Sequence, residues 1–210
     1  MQNRKNITIL SQYLSSNISK LGFFLLGIIL LSVSSKISIP FYPVPMTLQT
    51  FVVYFIAASM GMVGFYSTLS YVILGLIGLP IFAAGGGFGY MMSPTFGFLY
   101  GMVLASFVIA YFSKNLFNKN LLKVTFSILI GAVIIFVCGL SHLAGFIGFE
   151  KSIKAGLYPF VYSELLKIAL AISISYLLIK KNKLGINFKA KPLLQYLSPV
   201  GSGPSLKTWP

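Results

Sequence analysis

The sequence predicts an all-α integral membrane protein, one bundle of six transmembrane helices with long loops gathered at its outer face. Three observations carry that reading. Hydrophobic residues make up 57% of the chain and charged residues 9%, with a mean hydropathy of +0.89, whereas a soluble domain is about a quarter charged. Apolar runs of helical length recur along the chain, and helices are what a bilayer accepts, because they satisfy every backbone polar group internally. The sixteen basic residues, set against two acids, alternate between rich and poor loops. A length of 210 residues suits one compact bundle. In a soluble protein a net charge of +14 would point to nucleic acid; here membrane topology accounts for it.

The first stretch is polar, with Arg4, Lys5 and Lys20, and leads into a span at about 21–33. No small-x-small cleavage site follows, so this span is expected to be retained rather than removed as a signal peptide. Residues 34–46 hold Pro40, Pro43 and Pro45, which a regular helix interior excludes. The second span covers about 47–62 and the third about 65–79, with a tight turn at Gly61 and Gly64 between them. Sixteen residues at 1.5 Å each make only about 24 Å, short of a core of about 30 Å. The adjoining loops are therefore expected to dip into the membrane's depth, where they line a cavity or are buried in protein. From Gly78 to Thr95 the chain is apolar yet full of glycine and proline, the mark of a re-entrant or lid-like loop. The fourth span lies at about 96–112, the fifth at about 124–140 and the sixth at about 159–179. Residues 141–157 are polar enough to leave the core as a loop. The membrane domain thus occupies 1–180, and a polar tail at 181–210 is expected to be mobile.

Charge sets the orientation. With the N-terminus cytoplasmic, inner segments hold Arg4, Lys5, Lys20, Lys114, Lys119, Lys123, Lys180, Lys181, Lys183, Lys189, Lys191 and Lys207, against Lys36, Lys151 and Lys154 outside. Such a bias is the positive-inside signature. Both termini then face the cytoplasm of a cytoplasmic-membrane protein, and the proline-rich, glycine-rich and 141–157 loops share the outer face.

Glu164 and Lys167 stand out, because they fall within the sixth span. A charge at mid-membrane costs about 2.5–3.5 kcal/mol on insertion scales and normally faces a partner or a wet cavity. Three residues apart on a helix, the two share a face, as a structural pair gluing helices or as a site for a small polar solute. Thr47 is placed to cap the second helix, and Gln49, in its first turn, offers an amide to an outward cavity. The glycines from Gly85 to Gly89 lack the Lys-Ser/Thr step of a phosphate loop, so close backbone approach to a ligand fits them better than a nucleotide site. Ser141 and His142 suggest a nucleophile and base, but no orienting acid is evident. One His, one Cys and two acids offer no metal cluster. Cys138 sits in an apolar run and reads as a buried small hydrophobe.

Four ordered blocks resemble one family: Pro43-Val44-Pro45-Met46-Thr47-Leu48-Gln49; Gly75-Leu76-Ile77-Gly78-Leu79-Pro80-Ile81-Phe82 with the glycines after it; Pro94-Thr95-Phe96-Gly97-Phe98-Leu99; and Pro159-Phe160 through Lys167. The chain is similar over about 36–180 to the BioY biotin transporters, the substrate-binding S components of energy-coupling factor (ECF) transporters. The resemblance implies a six-helix S-component fold, biotin captured at the outer face as a transported ligand, no cofactor, and partnership with a transmembrane T component and two ATPase subunits. It implies that Glu164 accepts from the ureido N–H groups and Lys167 donates to a biotin oxygen. Gln49 and loop backbone at Gly86 and Gly87 then serve the remaining polar atoms, while Tyr158, Tyr162 and Phe82 hold the ring. The chain departs from the family pattern in carrying Glu164 where the usual acid looks like Asp. It also has Gly22, Gly27 and Ser32 where an Ala-x-x-x-Ala face on the first helix would meet the T component. Without a Walker motif the chain does not hydrolyse ATP by itself. Three other readings stay open on sequence alone: a self-sufficient proton-coupled carrier, an S component for another vitamin, and a membrane enzyme using Ser141 and His142.

Overall fold

The computed structural model describes residues 17–113 and 121–183. Arg4, Lys5, Lys114, Lys119 and the tail beyond 183 lie outside the described residues. In chain order the helices are α1 (Asn17–Lys36), α2 (Gln49–Met60), α3 (Met62–Ile77), α4 (Phe96–Ser113), α5 (Leu121–Ile147), a short α6 (Phe149–Gly156) and α7 (Tyr158–Lys183). Three of them, α1, α5 and α7, are long and apolar enough to cross a membrane, and α2, α3 and α4 are shorter apolar helices. Six apolar helices and one short surface helix thus make up the described bundle, a multi-pass membrane protein.

The centre is α2. Its sequence is mostly apolar, and all its residues except Phe51 and Phe55 are buried, which makes it the interior helix of the bundle. It packs against α1, α3, α4, α5 and α7. Twelve residues cover only about 18 Å, so loops meet it within the thickness of the bundle. Below it the chain reverses at Gly61, which has φ of +60° and serves both α2 and α3, a conformation that glycine adopts without steric cost. Gly64, expected beside it in the turn, is the third residue of α3, where a Cβ would overlap the backbone of Ile56. The hairpin therefore closes through backbone contact. The antiparallel pair α4 and α5 is close-packed in the same way, with Gly97 against His142, Gly131 against Ile109 and Gly139 against Phe98.

Before α2, β1 (Ser38–Ile39) and β2 (Met46–Thr47) form a small antiparallel ladder with Ser38 opposite Thr47. The three prolines fall off the paired positions, as their missing N–H requires. Thr47 ends a strand yet still accepts the backbone N–H of Gln49 on its Oγ1 at 3.4 Å, while Leu48 occupies the helix cap position without a side-chain bond. The 79–95 connection contains an isolated bridge between Phe82 and Gly85 and a 3-10 turn at Phe88–Met92.

One expectation is overturned. Residues 141–157 are not an open loop: α5 continues to Ile147, Gly148 breaks it at φ of +84°, and α6 follows. The polar residues there do not interrupt the helix because the fold satisfies them. Ser141 Oγ donates to the Cys138 carbonyl at 3.0 Å, and His142 Nε2 bonds the Ser93 carbonyl at 3.2 Å.

Candidate functional site

Along α7 the buried residues are Phe160, Glu164, Lys167, Ile168, Ala171, Ser175 and Ile179, spacings of three and four that trace one face of a helix. That face meets α2 and α5. Glu164 is 4% exposed and Lys167 8%. Their ion pair, Lys167 Nζ to Glu164 Oε2, spans 3.2 Å. Thr50 and Tyr54, one turn apart on α2, complete the carboxylate's shell. Thr50 Oγ1 donates to Oε2 at 3.0 Å and the Tyr54 hydroxyl to Oε1 at 2.6 Å. A buried carboxylate with three donors is compensated for its lost water, since hydrogen bonds to charged groups contribute about 1.5–3 kcal/mol each. Lys167 makes one hydrogen bond among the described residues, although an ammonium carries three donors.

The pair forms the polar floor of a cavity of about 50 Å³, room for a few water-sized groups. Gln49 and Thr50 share the floor; Phe98, Leu99 and Met102 of α4, Ile135 and Phe136 of α5, and Phe160 of α7 make an apolar wall; Val44 and Pro45, with Ala83, Tyr90 and Thr95, close it from the two loops. Gln49 is tied on both sides: its Oε1 accepts from Thr47 Oγ1 at 3.0 Å and its Nε2 donates to the Tyr71 hydroxyl at 2.7 Å.

Of the residues expected to bind, Glu164, Lys167 and Gln49 converge here, and the others do not. Tyr158 and Tyr162 are 63% and 81% exposed. At 100° per residue, Tyr162 lies about 200° around α7 from Glu164, on the outer side. The residue at the right spacing is Phe160, four before Glu164. Phe82 is fully buried, but its ring is wedged between Tyr71 and Tyr90 and against Gly75, outside the cavity wall. Gly86 and Gly87 seat the loop on α3: Gly87 N–H donates to the Gly75 carbonyl at 2.7 Å, and a Cβ on Gly86 would strike the Leu79 carbonyl. Their neighbour Ala83 reaches the cavity instead.

Thr50, Tyr54 and Phe160 join the site without having been singled out by sequence. A signal for all three lies in helical spacing, the first two as a polar i, i+4 pair on an apolar helix and the third as i−4 from Glu164. Ser141 and His142 bond to separate carbonyls and do not meet as nucleophile and base. Among the described residues no three His, Cys, Asp or Glu side chains come together as metal ligands.

The fold matches a solved structure described as the S component for biotin from an ECF-type ABC transporter, with a TM-score of 0.69 over 79% of this chain and 94% of that one. Sequence identity there is 23%, so the likeness is one of fold. Six apolar helices around a buried, cavity-lining charge pair therefore define a multi-pass membrane protein with the fold of that S component. A family model for the BioY family matches residues 4–183. The chain is 34% identical over 152 residues to a probable biotin transporter BioY of Pyrococcus horikoshii, covering 71% of this chain and 90% of that protein. It is 36% identical over 149 residues to the biotin transporter BioY of Thermotoga maritima, covering 70% and 87%. The chain belongs to the BioY family, and these relatives are transporters, not enzymes.

Proposed function

We propose that this chain is the substrate-binding subunit of a vitamin importer, capturing biotin at the outer face for passage across the cytoplasmic membrane. The observation that carries the reading is the buried Glu164–Lys167 pair forming the floor of a loop-covered cavity with an apolar wall. Biotin presents a ureido group with N–H donors and an oxygen, an apolar sulfur ring, and a carboxylate tail. Glu164, held by Tyr54 through Oε1, offers Oε2 to the ureido N–H groups in place of Thr50. Lys167 turns its spare donors to a biotin oxygen. Gln49 takes a further polar atom, and Phe98, Phe136 and Phe160 pack the ring. A cavity of about 50 Å³ is smaller than such a ligand, so capture requires the loops at Val44–Pro45 and Ala83–Thr95 to part.

Both termini face the cytoplasm in this reading, supported by the basic bias of the segments that flank them. The energy for release comes from a T component and two ATPase subunits, supported by the fold shared with the S component of an ECF-type ABC transporter. The deciding experiment is equilibrium binding of labelled biotin to the purified protein, with thiamine and riboflavin as competitors. Saturable binding displaced only by unlabelled biotin is expected; equal displacement by either other vitamin overturns the assignment.

A further inference from the structure

Tyr71 lines no part of the cavity, yet the cavity amide of Gln49 and the 79–95 loop both bond to its hydroxyl. It is buried on α3, accepts from Gln49 Nε2 at 2.7 Å and donates to the Ile81 carbonyl at 2.9 Å. The direction of this relay is decided by chemistry: a carbonyl only accepts, so the tyrosine proton points to Ile81 and the amide nitrogen must point to the tyrosine. Thr47 then takes the amide oxygen. The same Ile81 carbonyl accepts Ser35 Oγ at 2.6 Å, and the next, of Phe82, accepts Lys36 Nζ at 2.6 Å. One residue further, Ala83 lines the cavity. The Phe82 ring lies between Tyr71 and the cavity-lining Tyr90, with centroids 5.5 and 4.7 Å apart.

We propose that Tyr71 is a positioning residue, whose hydroxyl orients the cavity amide of Gln49 and seats the 79–95 loop, so that grip on the ligand and closure of the loop are coupled through one atom. The ligand half of this proposal rests on the biotin-capture reading; the loop half does not. A polar chain buried this deeply is cooperative, since each bond polarises the next. A ligand that binds Gln49 thereby strengthens the loop's anchor, and a seated loop holds the amide toward the ligand.

The experiment uses the full chain in nanodiscs, as wild type, Gln49→Ala, Tyr71→Phe and the double variant. Phenylalanine keeps the ring against Phe82 and removes only the hydroxyl. Without ligand, hydrogen exchange across residues 79–95 is expected to rise in Tyr71→Phe and also in Gln49→Ala, although the hydrogen bonds of the Gln49 side chain end on Thr47 and Tyr71. With biotin, each single substitution is expected to speed dissociation by about five- to tenfold, the scale of one lost buried hydrogen bond, with association little changed. The double variant is expected to release biotin no faster than the faster single one. Unchanged loop exchange in Gln49→Ala, or single effects that multiply in the double variant, overturns the coupling. A wild-type protein that does not retain biotin refutes the capture reading, and the exchange measurements still decide the loop half. Should Tyr71→Phe fail to fold, the Gln49→Ala exchange alone settles it.

Discussion

Glu164 spends both carboxylate oxygens on protein donors, so a ligand reaches it only by exchange. Thr50 and Lys167 share Oε2, while Tyr54 holds Oε1 alone at the shortest distance. Oε2 is thus the atom a ureido group contests, and Tyr54 is the fixed point that aims it. Removing one member of a buried charge pair leaves the other without compensation, at a cost of about 2–5 kcal/mol to binding. Glu164→Gln and Lys167→Ala are each expected to weaken biotin binding by about 100-fold, measured by titration calorimetry. Near-native affinity in both would sink the assignment of the site. The two faces of α7 give a sharper contrast. Phe160→Ala removes about 2 kcal/mol of apolar cover and is expected to loosen biotin by at least about tenfold, whereas Tyr162→Ala, on the outer side, is expected to leave affinity within about twofold. The reverse pattern would return the ring contact to the exposed tyrosines.

At the scale of elements, glycine decides how closely helices approach, and the same substitution carries opposite signs at two places. In Gly64→Ala the methyl meets the Ile56 carbonyl, a backbone atom that no rotamer change relieves. The α2–α3 hairpin is expected to lose about 1–3 kcal/mol, seen as a lower unfolding temperature in detergent. Gly22 on α1 has open space at its Cβ position, so Gly22→Ala is expected to raise that temperature, since alanine is favoured in a helix by about 1 kcal/mol. The extension of α5 through Ser141 and His142 belongs to this scale too. Side chains that read as loop-forming by polarity become helical because the chain entering α4 supplies the Ser93 carbonyl, and α4 itself the aromatic surface of Phe96 and Tyr100.

For the whole molecule, topology and charge agree. α4 and α5 run antiparallel, His142 reaches Ser93, and Lys36 reaches Phe82, so the end of α1, the 79–95 loop and α6 share one end of the bundle with the cavity. Lys20, Lys123 and Lys180 lie toward the other end, in the first turn of α5 or near the opposite ends of α1 and α7. With Cys138 replaced by serine, a cysteine at Gly89 is expected to react with a membrane-impermeant maleimide from outside intact cells. One at Lys123 is expected to react only after the membrane is opened. Labelling with the opposite sidedness would invert the orientation and place capture on the cytoplasmic side.

The fold class, the six apolar helices and the central charge pair were legible from the sequence, because membrane insertion is governed by summed hydropathy and each misplaced charge is conspicuous. Helical spacing also placed Glu164 and Lys167 on one face, and helix order put the loops together at one end. What the tertiary structure alone decided was which neighbours those charges meet. Thr50 and Tyr54 become partners of Glu164 because α2 lies against α7 with that stripe facing inward, more than a hundred residues away in sequence. The same packing turns Tyr162 outward and Phe160 inward, and seats the glycine-rich loop on α3 so that Ala83, rather than Gly86 or Gly87, reaches the cavity. A linear pattern specifies the faces of a helix, but the choice of partner is made only when close-packed helices exclude every other arrangement.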